Sequence, residues 1–363
     1  MDKRRIGKAI AYLRKRAGYT QQDLADRIGI SDKAVSKWER GIGAPDIAYV
    51  GKLASLLDID TDSLLAGDVI HHDEEWRGVL IIPENNRGIT VGSMVYSKPI
   101  VYFLLSYFML VGIKNIYVCC SEQDERIIYS EFADGQKLGL TLLYCKNNAT
   151  QHTQFTNLFN LLGRDLSCGN LMIVSERILL YGVDQTRFFH KAMTHRDHIT
   201  ILSLPKKYNC STSKLAFDTT RKLVPSDSDD KVHTQYDYYE IPIIFCPRNR
   251  LTQVIEPGKQ GEARVHIREN ESDDELLYTE VLDRGFVEMQ IDSIDQLLDA
   301  SEFVKLVQNA CGMEIYCLEE IAWRRGMITT DELRQFGEMK AATNYGQYIL
   351  SIADRYNSNQ IDK

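Results

Sequence analysis

The first 66 residues repeat a pattern of short amphipathic helices interrupted by glycine. Ile6, Ile10 and Leu13 recur at the three- and four-residue spacing of one helix face. Thr20 can cap the next helix, which ends where Gly29 follows it. We therefore predict a small all-α domain over residues 1–66. Its predicted helices cover residues 3–17, 21–28, 32–40, 46–57 and 61–65.

Three stretches of this region resemble the helix-turn-helix of the Cro and lambda-repressor type. They are residues 20–25 (TQQDLA), 29–31 (GIS) and 35–41 (VSKWERG), and the resemblance covers nearly all of 1–66. It implies binding to an operator in double-stranded DNA, with the second helix of the motif in the major groove and the first across the backbone. It also implies that two copies of the domain bind the operator as a dimer, each on one half-site.

The predicted helix over residues 32–40 turns Val35 and Trp38 inward, so its opposite face is the candidate DNA-reading face. The candidates for base contacts are Asp32, Lys33, Ser36 and Lys37. The candidates for phosphate contacts are Gln21, Ser31 and Arg40, because helix N-termini and guanidinium groups attract anions. The alternative is a small protein-interaction module whose charges are solvated.

Charge is distributed unevenly along the chain. The first 40 residues hold 11 Lys and Arg against five Asp and Glu, a net charge of +6. Because the 363 residues together carry −8, the remainder carries −14. This asymmetry favours contact with nucleic acid at one end only, and the length predicts more than one domain.

Residues 67–76, which include DVIHHDEE, lack hydrophobic periodicity and are predicted to form a linker before a second domain at 77–363. His71 and His72 could bind a metal, but adjacent histidines splay apart in an extended chain. Eight cysteines without a CxxC pair indicate buried, reduced thiols in a cytoplasmic protein. The most apolar run, residues 99–113, is shorter than the ~20 residues that span a bilayer, so we expect no membrane partner.

From residue 76 onward, buried strands alternate with helices. This order predicts an α/β domain with a mostly parallel, Rossmann-like sheet and ligands beyond the carboxyl ends of the strands. Ligand-binding residues are therefore expected in the chain segments that follow Ile82 and Val174. The predicted strands are 78–82, 115–120, 140–145 and 170–174, and the predicted helices are 99–112, 122–132 and 155–162.

These residues resemble a second family, the glucose-1-phosphate thymidylyltransferases. The resemblance covers roughly 77–353 and implies a nucleotidyltransferase fold with a helical C-terminus. It also implies Mg²⁺-dependent transfer of a nucleotidyl group from dTTP to a sugar 1-phosphate. The matching stretches are 98–102 (KPIVY), 109–113 (MLVGI), 134–140 (DGQKLGL), 295–298 (DQLL), 319–322 (EEIA), Gly326 and 344–348 (NYGQY).

The family's motifs for holding a nucleotide are altered. Its Gly-rich loop, G-G-x-G-T-R-L, is replaced by Pro83-Glu84-Asn85-Asn86-Arg87-Gly88, and the phosphate-binding Lys of its K-x-x-x-P stretch is missing. Such a loop needs glycines because backbone N–H groups must approach phosphate closely. Arg87 is the one candidate for the family's reactive Arg. The base-recognition loop corresponds to residues 148–153.

The family's metal site is altered as well. Its first metal-binding Asp corresponds to Glu176, the one candidate for holding Mg²⁺ through oxygen, with Arg177 beside it discouraging a cation. Its second metal-binding Asp corresponds to Gln290, a neutral amide. The candidate pocket residues are therefore Glu84, Glu176 and Gln290, with no catalytic set and no cofactor expected.

These features favour a sequence-specific transcriptional regulator. Its second domain would be a degenerate nucleotidyltransferase that senses a sugar nucleotide or sugar phosphate, or that holds a homodimer or homotetramer together. One alternative is an active thymidylyltransferase, with Mg²⁺ as cofactor and an autoregulatory DNA-binding head. Another is a scaffold whose second domain only holds the DNA-binding domains, here called heads, together in pairs.

Overall fold

The computed structural model describes residues 3–17, 19–57, 59, 61–66, 76–84, 87–145, 154–165, 168–205, 214–217, 223–224, 237–257, 263–265 and 277–361. The chain divides into two compact units, Met1–His71 and His72–Lys363. This division falls within the predicted linker. The linker residues 67–75, including His71 and His72, lie outside the described residues.

The first unit is all helical, and every predicted helix is present. Thr20 forms a complete capping box with Asp23, because each side chain accepts a hydrogen bond from the other residue's backbone N–H. Ser31 and Asp46 cap the two following helices. The helices are α1 (Lys3–Arg16), α2 (Gln21–Ile28), α3 (Asp32–Glu39), α4 (Ile47–Leu56) and α5 (Thr61–Ala66).

One apolar core joins these helices, and it includes Leu24, Val35 and Trp38. A buried ion pair of 2.6 Å between Arg14 Nε and Glu39 Oε1 ties α1 to the end of α3. Close approach of the same two helices requires Gly7, because a Cβ atom there would lie 2.0 Å from the Trp38 carbonyl oxygen. The orientation of α3 therefore depends on a glycine in α1.

The strands of the second unit, and one mixed sheet that contains most of them, confirm the α/β prediction. The strands are β1 (Trp76–Ile81), β2 (Met94–Val95), β3 (Lys98–Pro99), β4 (Asn115–Cys119), β5 (Thr141–Tyr144), β6 (Asn170–Ser175), β7 (Ile178–Tyr181), β8 (Ile199–Pro205), β9 (Lys214–Phe217), β10 (Leu223–Val224), β11 (Asp237–Pro247), β12 (Ile255–Pro257), β13 (Ala263–Val265), β14 (Leu277–Val281) and β15 (Val287–Gln290). The large sheet has the strand order β10-β9-β11-β6-β1-β4-β5, and in addition β8 pairs with β11 and β14 pairs with β8.

Helices cover this sheet, and several of them form the C-terminal end of the unit. The apolar run of the sequence forms the helix Ile100–Leu110, whose residues are almost all buried. No helix in the described part of the chain is long and apolar enough to cross a membrane. The helices are α6 (Ile100–Leu110), α7 (Glu122–Phe132), α8 (Gln154–Arg164), α9 (Gln185–Thr194), α10 (Leu251–Val254), α11 (Ile294–Cys311), α12 (Leu318–Arg324), α13 (Thr330–Met339) and α14 (Asn344–Ile361).

The register of the sheet fixes where ligand chemistry could occur. β1 pairs in parallel with both β4 and β6, and Ile81 lies opposite Ser175. The Glu176 N–H donates to the Ile81 carbonyl at 3.1 Å, extending this pairing by one residue. The chain segments after β1 and after β6 therefore emerge side by side at one edge of the sheet.

Substituting Gly7 with Ala tests the contact between α1 and α3. We expect Gly7→Ala to destabilise the first unit by about 1–3 kcal/mol, because the new methyl group collides with backbone and not with a mobile side chain. Hydrogen-exchange mass spectrometry of the full chain would show this as lost protection in residues 1–66. Gly51→Ala is the matched control, since a Cβ there meets no atom within 4 Å. Equal protection in the two variants would contradict the packing described.

Candidate functional sites

The exposed face of α3 carries the predicted base-contact residues. Asp32, Lys33 and Lys37 are exposed and Ser36 is partly exposed, whereas Val35 and Trp38 on the opposite face are buried. The Asp32 carboxylate accepts a hydrogen bond from the Lys33 backbone N–H at 2.7 Å. That bond stabilises the first turn, and both lysine side chains extend towards solvent.

The three predicted phosphate-contact residues lie at or beside helix ends. Gln21 begins α2, and its amide donates to Glu39 Oε2 at 2.6 Å. The Ser31 hydroxyl accepts from the Ala34 N–H at the start of α3. Arg40 follows α3 and its Nε donates to the Ser36 carbonyl at 3.2 Å. Their role in binding phosphate stays a prediction.

In the second unit, the structure brings Glu176 and Gln290 together. The Gln290 amide donates a hydrogen bond of 2.6 Å to Glu176 Oε2. Glu176 has a φ of +71°, a conformation that is rare outside glycine and concentrates at functional sites. Burial raises the pKa of Glu176, the bond from Gln290 opposes that rise, and the charge of Asp292 adds to it.

The sequence suggested that Arg177 presents its charge beside Glu176, but the structure places the Arg177 guanidinium elsewhere. Its side chain is only 1% exposed, and Nη2 lies 3.0 Å from Asp124 Oδ2. The other oxygen of that carboxylate accepts from the Val91 N–H at 2.9 Å. The Arg177 carbonyl accepts from the Ile291 N–H at 2.8 Å. The guanidinium is therefore neutralised inside the protein.

Sequence reasoning missed Glu240, which lies on β11. Because β11 runs antiparallel to β6, with Ile243 opposite Val174, the residues before Ile243 extend past the carboxyl end of β6 towards Glu176. Burial raises the pKa of Glu240 to about 7, and the charge of Glu176 contributes to the rise. The available signal was a carboxylate within an apolar strand, YYEIPII.

The other predicted pocket residues lie after β1. Glu84 and Arg87 are both exposed, and Glu84 follows the strand that neighbours β6. Asn85, Asn86 and the predicted base-recognition loop at residues 148–153 lie outside the described residues. Glu84 thus lies at the same sheet edge as Glu176, and the part that Glu84 or Arg87 plays in binding a ligand stays a prediction.

The residues at this edge do not fit the Mg²⁺ that the resemblance implies. The amide of Gln290 has no negative charge and occupies Glu176 Oε2 with a hydrogen bond. Mg²⁺ in proteins is held by carboxylate oxygens and waters in an octahedral arrangement. Within the described ranges, no group of three His, Cys, Asp or Glu side chains is placed to hold a metal ion.

Comparisons with known proteins agree with this two-part architecture. A helix-turn-helix family model matches residues 10–64. The glucose-1-phosphate thymidylyltransferase of Neisseria meningitidis is 25% identical over 264 residues, covering 71% of this chain and 90% of that protein. The same-named protein of Mycolicibacterium smegmatis is 27% identical over 270 residues, covering 72% and 90%.

A solved structure is also similar. It is described as a glucose-1-phosphate thymidylyltransferase from Bacillus anthracis in complex with a sucrose, with 12% identity and a TM-score of 0.47. The similarity covers 63% of this chain and 94% of the other.

The class of protein is therefore a two-domain fusion with a helix-turn-helix domain at its N-terminal end. The chain joins that domain to an α/β region homologous with the glucose-1-phosphate thymidylyltransferases.

The raised pKa of Glu240 predicts that the stability of the folded protein depends on pH. A carboxyl whose pKa rises from 4.5 to about 7 on folding destabilises the protein progressively as pH increases through that interval. Glu240→Gln removes this titration. We expect the free energy of unfolding of the variant, measured by thermal unfolding, to equal that of the unsubstituted protein near pH 5. At pH 8 it should be higher than that of the unsubstituted protein by at most about 3 kcal/mol.

The control is Glu338→Gln, an exposed acid on α13. It should leave the melting temperature unchanged at both pH values. A stability difference for Glu240→Gln that is the same at pH 5 and pH 8 would contradict the assignment.

Proposed function

We propose that the chain is a sequence-specific DNA-binding transcriptional regulator whose second domain is a non-catalytic sensor of a sugar nucleotide or sugar phosphate. The hydrogen bond between Gln290 and Glu176 is the observation that carries this proposal. It places a neutral amide on the remaining carboxylate where the related enzymes are expected to hold a metal ion. The α/β architecture around that position is retained.

The DNA-binding part of the proposal rests on α3. Its exposed face presents Lys33 and Lys37 on a segment with net charge +6 over the first 40 residues. Lysines on such a face can contact base edges in the major groove or neutralise phosphates. Arg40 and the N-termini of α2 and α3 supply groups that hold the DNA backbone in position.

Loss of catalysis follows from the chemistry of nucleotidyl transfer. Such transfer depends on cations and backbone amides positioned around phosphates. Here Pro83 lacks an N–H, Glu84 adds negative charge, and the Arg177 guanidinium is held by Asp124. Each missing stabilising group costs on the order of 2–4 kcal/mol in the transition state, although such losses are not additive.

The proposed regulation requires ligand binding to change the affinity for DNA. In this account two or four copies assemble through the second domain, and ligand binding alters the spacing of the paired heads. A ligand shifts that equilibrium only by as much as its affinity differs between the two arrangements. The retained α/β scaffold, together with altered catalytic positions, supports sensing over catalysis.

Substitution of the α3 lysines tests DNA recognition. An operator would first be selected from random DNA with the full chain. Lys33→Ala and Lys37→Ala should each weaken operator binding about tenfold, measured by fluorescence anisotropy. Lys305→Ala, an exposed lysine on α11, is the matched control. Unchanged affinity in both α3 variants would contradict the proposed reading face.

Pyrophosphate exchange tests the competing account of an active thymidylyltransferase. With dTTP, glucose 1-phosphate, Mg²⁺ and labelled pyrophosphate, we expect no incorporation of label into dTTP above background, whereas an active enzyme would exchange the label by forming and reversing the sugar nucleotide. Exchange that Glu176→Gln abolishes would contradict the proposal and establish an active site with an autoregulatory head. Exchange that persists in Glu176→Gln but is abolished by Glu240→Gln would also contradict the proposal, and only exchange that persists in both variants would be assigned to a contaminating enzyme.

A further inference from the structure

We propose that Glu240 is a ligand-binding residue. In this proposal Glu240, Glu176 and Gln290 together accept hydrogen bonds from the hydroxyl or amino groups of a sugar ring, without a divalent metal. This inference rests on the proposed sensing function and narrows it. It assigns a role to a residue outside the motifs shared with the related enzymes. It also names the part of the ligand that this edge of the sheet recognises.

The position of Glu240 is fixed by a change in strand pairing. On one side β11 pairs with β9 up to Tyr239 and with β6 from Ile243 onward. On its other side it pairs with β8, and the register of that pairing shifts between Ile241 and Ile244. At this shift the Ser175 hydroxyl donates to the Pro242 carbonyl at 3.5 Å. Glu240 is thereby held just past the end of β6, beside Glu176.

Glu240 also differs from the other acids that the sheet and its helices enclose. Asp124 pairs with Arg177, Glu280 with Lys191 at 2.5 Å, and Glu319 with Lys340 at 3.2 Å. Within the described part of the chain, neither a cation nor a hydrogen-bond donor reaches the Glu240 carboxylate. A partly buried carboxylate without a partner destabilises the protein, and it is expected where a ligand supplies the missing donors.

The chemistry of this cluster selects the ligand group. Glu240 and Glu176 present carboxylate oxygens, and Gln290 adds an amide oxygen. The guanidinium of Arg177, which follows Glu176 in the chain, is already paired with Asp124. Phosphate groups would be repelled, whereas ring hydroxyls, or the ammonium of an amino sugar, can donate to several of these oxygens. Any phosphate of the ligand must therefore lie away from Glu240.

Isothermal titration calorimetry of the full chain tests this assignment. The buffer would contain EDTA at pH 7.5, and the probes would be UDP-glucose, dTDP-glucose, glucose, glucosamine and inorganic pyrophosphate. We expect saturable binding of at least one sugar-bearing probe and none of pyrophosphate. Glu240→Gln should weaken sugar binding at least tenfold and Glu338→Gln should not. Thermal unfolding of Glu240→Gln in the same buffer would verify that the variant is folded.

Each other outcome has a distinct meaning. Equal sugar affinity in Glu240→Gln and the unsubstituted chain would overturn the role of Glu240 and leave sensing intact. Pyrophosphate binding that Glu240→Gln weakens would overturn the ligand class. If the unsubstituted chain binds none of the probes, the sensing function fails, and the assignment of Glu240 fails with it.

Discussion

The buried ion pair between Arg177 and Asp124 is the interaction on which the sheet-edge site depends. Asp124 lies at the start of α7 and accepts a hydrogen bond from the N–H of Val91, in the segment after β1. It also pairs with Arg177, in the segment after β6. The Arg177 carbonyl then holds Ile291, next to Gln290. Removing one member of such a buried pair costs about 3–5 kcal/mol, because the other charge is left without a partner.

This arrangement explains why the site is rich in acceptors and poor in cations. Asp124 pairs with the Arg177 guanidinium in the protein interior. Glu176, with a φ of +71°, is turned towards Gln290 and Glu240. A site built for nucleotidyl transfer needs the opposite balance, since positive charge must face the phosphates. The same scaffold, with its charge inverted, suits recognition of hydroxyl groups. Fold similarity to enzymes therefore does not by itself assign enzymatic activity.

Local sequence signals predicted much of this architecture. The caps at Thr20 and Ser31 set helix boundaries within the first unit, and the apolar run before Ile82 marked a buried strand. Proximity of Glu176 and Gln290 followed from the family resemblance. Glu240 could not be placed, because its position depends on where β11 changes its partner from β9 to β6. The orientation of Arg177 depended on Asp124, which lies 53 residues away in sequence.

We propose that ligand binding in the second domain controls DNA binding by the first. The most direct test is the operator affinity of the full chain, measured in EDTA with and without saturating UDP-glucose or dTDP-glucose. We expect one of these sugar nucleotides to change operator affinity by about fivefold or more, the usual lower range of allosteric coupling. Operator affinity that is unchanged by every sugar nucleotide, or that responds only to dTTP with Mg²⁺, would contradict control of DNA binding by the ligand.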